Sequence, residues 1–126
     1  MESGTEPRGR LTLQTIPLPA DTNANGDIFG GWLMAQMDLG ASVIARTRAR
    51  GRTATVAVDG MTFLKPVRVG DLVSIYSRME HEGTTSMRIA VEVWTTQMQS
   101  GETRRVAEAM FAFVAVDEQG HKRPLP

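Results

Sequence analysis

Two adjacent glycines, Gly30 and Gly31, open an apolar run, and one carboxylate, Asp38, follows seven positions after Gly31 among Leu33, Met34, Met37 and Leu39. In an α-helix seven residues turn through about 700° and rise about 10 Å, so Gly31 and Asp38 share nearly one face. The first amides of a helix have no intrahelical partner and lie at the positive end of its dipole. Glycine there has no Cβ to keep a ligand oxygen away from those amides. Such a tip can hold the oxygen of a carbonyl that gains negative charge under attack. Asp38 is the matching candidate base, but a base works within about 3 Å of its proton, directly or through one water. One helix cannot bring both groups to one carbonyl. Either the two features are unrelated, or a second copy of the chain brings its Asp38 to this chain's Gly30 and Gly31. The unrelated readings are ordinary ones: a glycine pair serves packing or a turn, and an aspartate near a helix start is solvated.

The elements that must position these groups follow from pattern. DTNANGD (21–27) is turn chemistry throughout, since Asp, Asn and Gly tolerate positive φ or bond their own backbone. Asn23 reads there as an Asx-turn residue, and Asp27 as a helix-entry cap for amides near Gly30. From Gly30 to about Arg50 no proline occurs. Leu33, Met37, Ala41 and Ile44 recur at helical spacing, with Met34 and Ala45 beside them. Arg46, Arg48 and Arg50 suit the negative end of the dipole, and Gly51 is a stop signal. Before this helix, residues 1–10 read as a flexible tail and 11–17 as a strand closed by Pro17 and Pro19. After it, residues 53–66, 67–82, 86–98 and 104–117 read as four strands, parted by turns at Val-Gly-Asp, EGTT and QSGE. Ile89, Val91 and Val93 alternate with Arg88, Glu92 and Trp94, which makes that strand two-faced. Trp94 is a candidate cover for a surface between copies. One apolar helix and one sheet satisfy each other only if the sheet curls around the helix. An edge strand and the far face then call for a partner copy. The reading is a single α+β domain over 11–126.

Composition removes several classes of function. The chain has 126 residues, with 14 Lys plus Arg against 14 Asp plus Glu, so it carries no basic field for nucleic acid or an anionic membrane. Two Trp, one Tyr and four Phe also offer little for base stacking. With no cysteine there is no disulfide scaffold, thiol nucleophile or cysteine-bound zinc. The two histidines, His81 and His121, stand 40 positions apart, so no HExxH pattern exists and no metal is expected. MESGTEPRGR lacks the apolar core of a secretory signal, and no stretch approaches the roughly 20 apolar residues that span a bilayer. A soluble cytoplasmic domain is the expectation.

DTNANGDIFGGWLMAQMD, followed by VAVDGMTFLKPVRVGDLV and then FVAVDEQG, resembles the hotdog-fold acyl-CoA thioesterases, specifically the YciA-like group. The resemblance runs from about residue 11 to 126, with the three motifs in order. It implies a five-stranded antiparallel sheet wrapped around one long central helix. It also implies a homodimer with active sites at the interface, assembled further as a trimer of dimers. The implied activity is hydrolysis of acyl-CoA to free acid and CoA, with no cofactor beyond the CoA of the substrate. The family's catalytic carboxylate falls on Asp38, its loop asparagine on Asn23, and its carbonyl-polarising amides on Gly30 and Gly31. Asp38 would activate water or attack to form a mixed anhydride, and the resemblance leaves both routes open.

For CoA, the resemblance points to the turn Gly83, Thr84, Thr85 and Ser86, where Thr84 stands in place of the family's arginine. Lys122 and Arg123 are candidate phosphate contacts that would supply the missing charge, and Lys65 is a third. Trp32 either lines an acyl pocket or packs. Two other readings compete. A non-catalytic acyl-CoA sensor would use the same fold without turnover. A hydratase of this fold would need a histidine near the helix, and none occurs in residues 1–80.

Overall fold

The computed structural model describes residues 6–126. The chain runs β1 (Arg10–Thr15), a 3-10 turn (Pro19–Asp21), α1 (Gly30–Ala49), β2 (Thr53–Phe63), β3 (Leu72–Glu82), β4 (Ser86–Thr96) and β5 (Thr103–Ala115). The five strands form one sheet in the order β1-β3-β4-β5-β2, and every pair is antiparallel. α1 packs against all five strands. This is the expected sheet curled about a helix.

The helix forms where the pattern places it, because its apolar stripe has a core to enter. Leu33, Met37, Ala41 and Ala45 are buried, while Met34 and Ile44 are only partly covered. The four buried residues share one core with Val73, Ile75, Ile89, Val91, Val93, Phe111 and Phe113 from the sheet, and Ile44 packs against it. Burying each large apolar side chain contributes roughly 1.5–3 kcal/mol. Gly40 sets the closeness of the approach. A Cβ there would stand 2.6 Å from Ile75 Cγ2 and 2.9 Å from Thr12 Oγ1. Only glycine lets the helix sit this low on the sheet.

Some expectations are corrected. Residues 64–66 lie beyond β2, where Pro66 denies the ladder a donor and the chain turns toward β3. The tail expected over 1–10 does not reach its last residues. Arg8 donates its amide to Glu92 Oε1 at 3.4 Å and Arg10 already belongs to β1. Residues 1–5 lie outside the described residues. Trp94 is not a cover awaiting another copy, for it is 2% exposed within one chain. Its indole Nε1 donates to Glu92 Oε1 at 2.9 Å, and Arg78 reaches Glu92 Oε2 at 3.3 Å. The outer face thus closes over its own indole and carboxylate there.

The two sheet edges differ. β1 has six residues and a bulge between Leu11 and Leu13, which blunts that edge. β2 has 11 residues, all exposed except Thr53 and Met61, and among the exposed are Val56 at 57% and Phe63 at 49%. A long, apolar, unpaired edge is a template for another strand.

Candidate active site

The loop before the helix is closed on itself, and Asn23 is its strut. Asn23 Oδ1 accepts the amides of Asn25 at 2.9 Å and Asp27 at 3.2 Å. Its own amide donates to the Asp27 carbonyl at 2.7 Å, and Gly26, at φ 82°, donates to the Asn23 carbonyl at 3.1 Å. A Thr22–Ile28 bridge and a bond from the Phe29 amide to the Asp21 carbonyl shut the loop at its base. The Asx-turn role read for Asn23 is therefore present. It engages the oxygen of the side chain and leaves the Nδ2 amide for other partners.

The loop delivers the chain to the helix without a cap. Phe29 is the N-cap residue, and no side chain bonds the first amides. The expected cap from Asp27 is absent, because the Asx turn places Asp27 two residues before the N-cap position. Gly30 and Gly31 thus present amides at the positive end of a 20-residue helix with no side chain hydrogen-bonded to them as a cap. The two glycines differ in surroundings. A Cβ on Gly31 would meet nothing within 4 Å, whereas one on Gly30 would lie 3.2 Å from the Phe63 ring. Gly31 faces open space, the condition for a ligand oxygen to approach it.

Asp38 is partly buried on the side of α1 that faces β2. The Thr55 hydroxyl donates to Asp38 Oδ1 at 2.7 Å. Between Thr55 and Ala57 the β2–β5 register slips by one residue, a bulge that re-aims the neighbouring side chains. Sequence reading missed Thr55, since one threonine in a β-branched strand gives no sign of the bulge beside it. The hydrogen bond fixes one of the two carboxylate oxygens.

The remaining candidates lie elsewhere. The turn 83–86 and the C-terminal segment come together at the far end of α1. The Leu125 amide bonds the Thr84 carbonyl at 2.9 Å, and the Ala115 amide bonds the Thr85 carbonyl at 2.9 Å. Gly83 and Ser86 close the turn between Gly83 N–H and Ser86 O at 2.8 Å. Lys122 is exposed beside this turn's strap. Arg123 is engaged differently: its Nε donates to the Val116 carbonyl and its Nη2 to the Ala49 carbonyl, each at 2.9 Å. It caps the helix C-terminus. Lys65 lines a groove at the opposite end, beside Gly30. Trp32 packs, partly buried, against the core cluster. Among the described residues no group of acids and histidines is placed to hold a metal ion. No described helix is long and apolar enough to cross a membrane.

Five antiparallel strands curled about one long helix, with a bare glycine tip and a flank carboxylate, define a hotdog-fold protein of the thioesterase type. A model of the thioesterase superfamily matches residues 25–102, and the chain belongs to that superfamily, within its YciA-like group. Its relatives include the acyl-CoA thioester hydrolase YciA of Salmonella typhimurium, 54% identical over 95% of this chain and 92% of the relative. The hexameric thioesterase of Yersinia pestis is 55% identical and superposes with a TM-score of 0.93, covering 96% of this chain and 98% of the other. A hexameric broad-specificity acyl-coenzyme A thioesterase, solved as an aspartate-to-alanine mutant, gives a TM-score of 0.92 at 48% identity, covering 94% and 88%.

Proposed function

We propose that this chain hydrolyses acyl-CoA thioesters, with each active site built from two subunits. The observation that carries the reading is the uncapped tip of α1, open at Gly31 and set near the long free edge of β2. Pairing of β2 with its copy would continue the sheet and bring the two helices side by side. Antiparallel helices so placed set the tip of one near the flank of the other. The gap of about 10 Å within one helix is then bridged by the partner. The hexameric state named for two of the relatives supports a further assembly into a trimer of dimers.

In this reading the thioester carbonyl oxygen accepts the Gly30 and Gly31 amides, with Asn23 Nδ2 beside them. Asp38 of the partner subunit either takes a proton from water as it attacks the carbonyl carbon, or attacks it directly and is released by water. Charge builds on the oxygen where the helix dipole and amides hold it. The carbon–sulfur bond then breaks. Thiolate is a good leaving group, so the site needs no strong acid and no histidine. CoA phosphates would meet Lys122 and the turn at 83–86. The CoA-ester hydrolysis named for the relatives fits a cytoplasmic enzyme.

Free-thiol release from acetyl, hexanoyl, palmitoyl and aromatic CoA esters tests the reading. Steady release with at least one ester is expected; binding without release would make the protein a sensor instead. Turnover in 18O water then separates the routes, since label entering Asp38 in a single turnover marks the anhydride.

A further inference from the structure

We infer that Phe63 sets the length of acyl chain this site accepts, by closing an apolar groove that starts at the helix tip. The inference rests on the hydrolase reading above and adds the groove and its gate. The groove holds about 330 Å³, and its lining includes Ile28, Gly30, Leu33, Phe63, Leu64 and Val67. Its floor is core: Ile28, Leu33 and Val67 are each under a tenth exposed. Phe63 stands over it at the last position of β2, its ring 3.2 Å from where a Gly30 Cβ would be.

Two parts of an acyl-CoA reach the thioester from opposite sides, the acyl tail and the pantetheine arm. The arm carries two amides that need hydrogen-bond partners once out of water. Away from the Gly30 amide, the Ile28, Leu33, Leu64 and Lys65 amides along this groove are already spent within the chain. The Ile28 amide bonds the Val67 carbonyl at 3.0 Å, and the Leu64 and Lys65 amides both bond the Val106 carbonyl, at 2.7 and 3.3 Å. Lys65 carries the one polar side chain in the lining. A hydrocarbon tail needs no such partner, and it gains by leaving water. The groove therefore suits the tail, and it begins at Gly30, the residue that would hold the thioester oxygen. A groove of this size is at the small end of ligand sites, so the ring stops a long tail early.

The test is the chain-length profile of wild type and Phe63→Ala, from acetyl to palmitoyl CoA. Each ester is assayed for hydrolysis, and its non-hydrolysable thioether analogue for binding. The expected result is a rise of about tenfold or more in the kcat/KM ratio of dodecanoyl to butyryl CoA, because a hydrophobic pocket is worth 10–200-fold per methylene fitted or refused. The analogue affinities shift the same way. Phe63→Leu, which keeps an apolar side chain at the edge strand, is expected to give an intermediate profile and covers the case of a poorly folded alanine variant. A uniform change across all lengths, in turnover and in binding, overturns the gate. Absence of thiol release from wild type defeats the hydrolase reading alone, and the analogue profile still decides the gate.

Discussion

The two ends of α1 are finished in opposite ways. At the C-terminus Arg50 takes the left-handed conformation at φ 55° and its amide bonds the Arg46 carbonyl. Gly51 bonds the same carbonyl, and Arg123 reaches back from the end of the chain to the Ala49 carbonyl. The last turn also carries Arg46 and Arg48 against the dipole. At the N-terminus Phe29 takes the cap position without a side-chain bond, and two glycines follow where helix formers would stabilise the element. Leaving out an N-cap costs about 1 kcal/mol. One end of α1 is closed by its own chain, and the other offers its first amides without a side-chain cap. In the proposed mechanism, stability is built where the chain meets itself and chemistry sits where its groups are unmet.

Substitutions at the two ends should therefore separate activity from stability. The largest effect is expected for Asp38→Asn, which keeps the shape and the Thr55 contact at Oδ1 but removes the base. Thiol release should fall by about 10²–10⁴-fold with Tm unchanged within a few degrees. Unimpaired turnover would remove Asp38 from the reaction. Next comes Gly31→Val. Helical Cβ atoms point toward the N-terminus, so the new side chain enters the space where the carbonyl oxygen would sit. Because nothing of this chain lies within 4 Å of that Cβ, folding is preserved while kcat/KM drops about 10²-fold.

Gly40→Ala reverses this pattern. A methyl 2.6 Å from Ile75 Cγ2 must displace the helix or the sheet, at about 1–3 kcal/mol. Tm should fall by roughly 5–10 °C, with activity per folded molecule close to wild type. Arg123→Ala should be milder, about 1 kcal/mol by thermal melting, as Ala49 and Val116 carbonyls lose their donor. A raised KM with no loss of Tm would instead make Arg123 a CoA contact. Lys122→Ala is the smallest: KM for acyl-CoA rises about 2–5-fold, less at high salt, and Tm stays put.

The helix, the strand order of local hairpins and the core stripe were legible because each rests on periodicity that burial enforces. Met37, Ile89 and Val93 are buried where the pattern places them. The closing of β2 onto β5 was not legible, since it pairs positions from Phe63 with Ala107 to Thr53 with Ala115, and pairing at that range leaves no local mark. Trp94 reads as a cover between copies and Glu92 as its charged neighbour, yet both are buried within one chain, because an ion pair and an indole bond make the outer layer its own cover. At the site, Gly30, Gly31 and Asp38 stood out by being odd for their element. Thr55 was invisible because its role comes from a bulge in a strand far from Asp38 in sequence.

The central claim is that tip and carboxylate of one active site belong to different chains. Mixing two inactive variants, Asp38→Asn and Gly31→Val, through unfolding and refolding together tests it directly. In each mixed dimer one interface site carries both substitutions and the other carries neither. A one-to-one mixture should then recover about a quarter of wild-type thiol release. If one chain supplied both groups, every site would hold a substitution, and the mixture would stay as inactive as its parts.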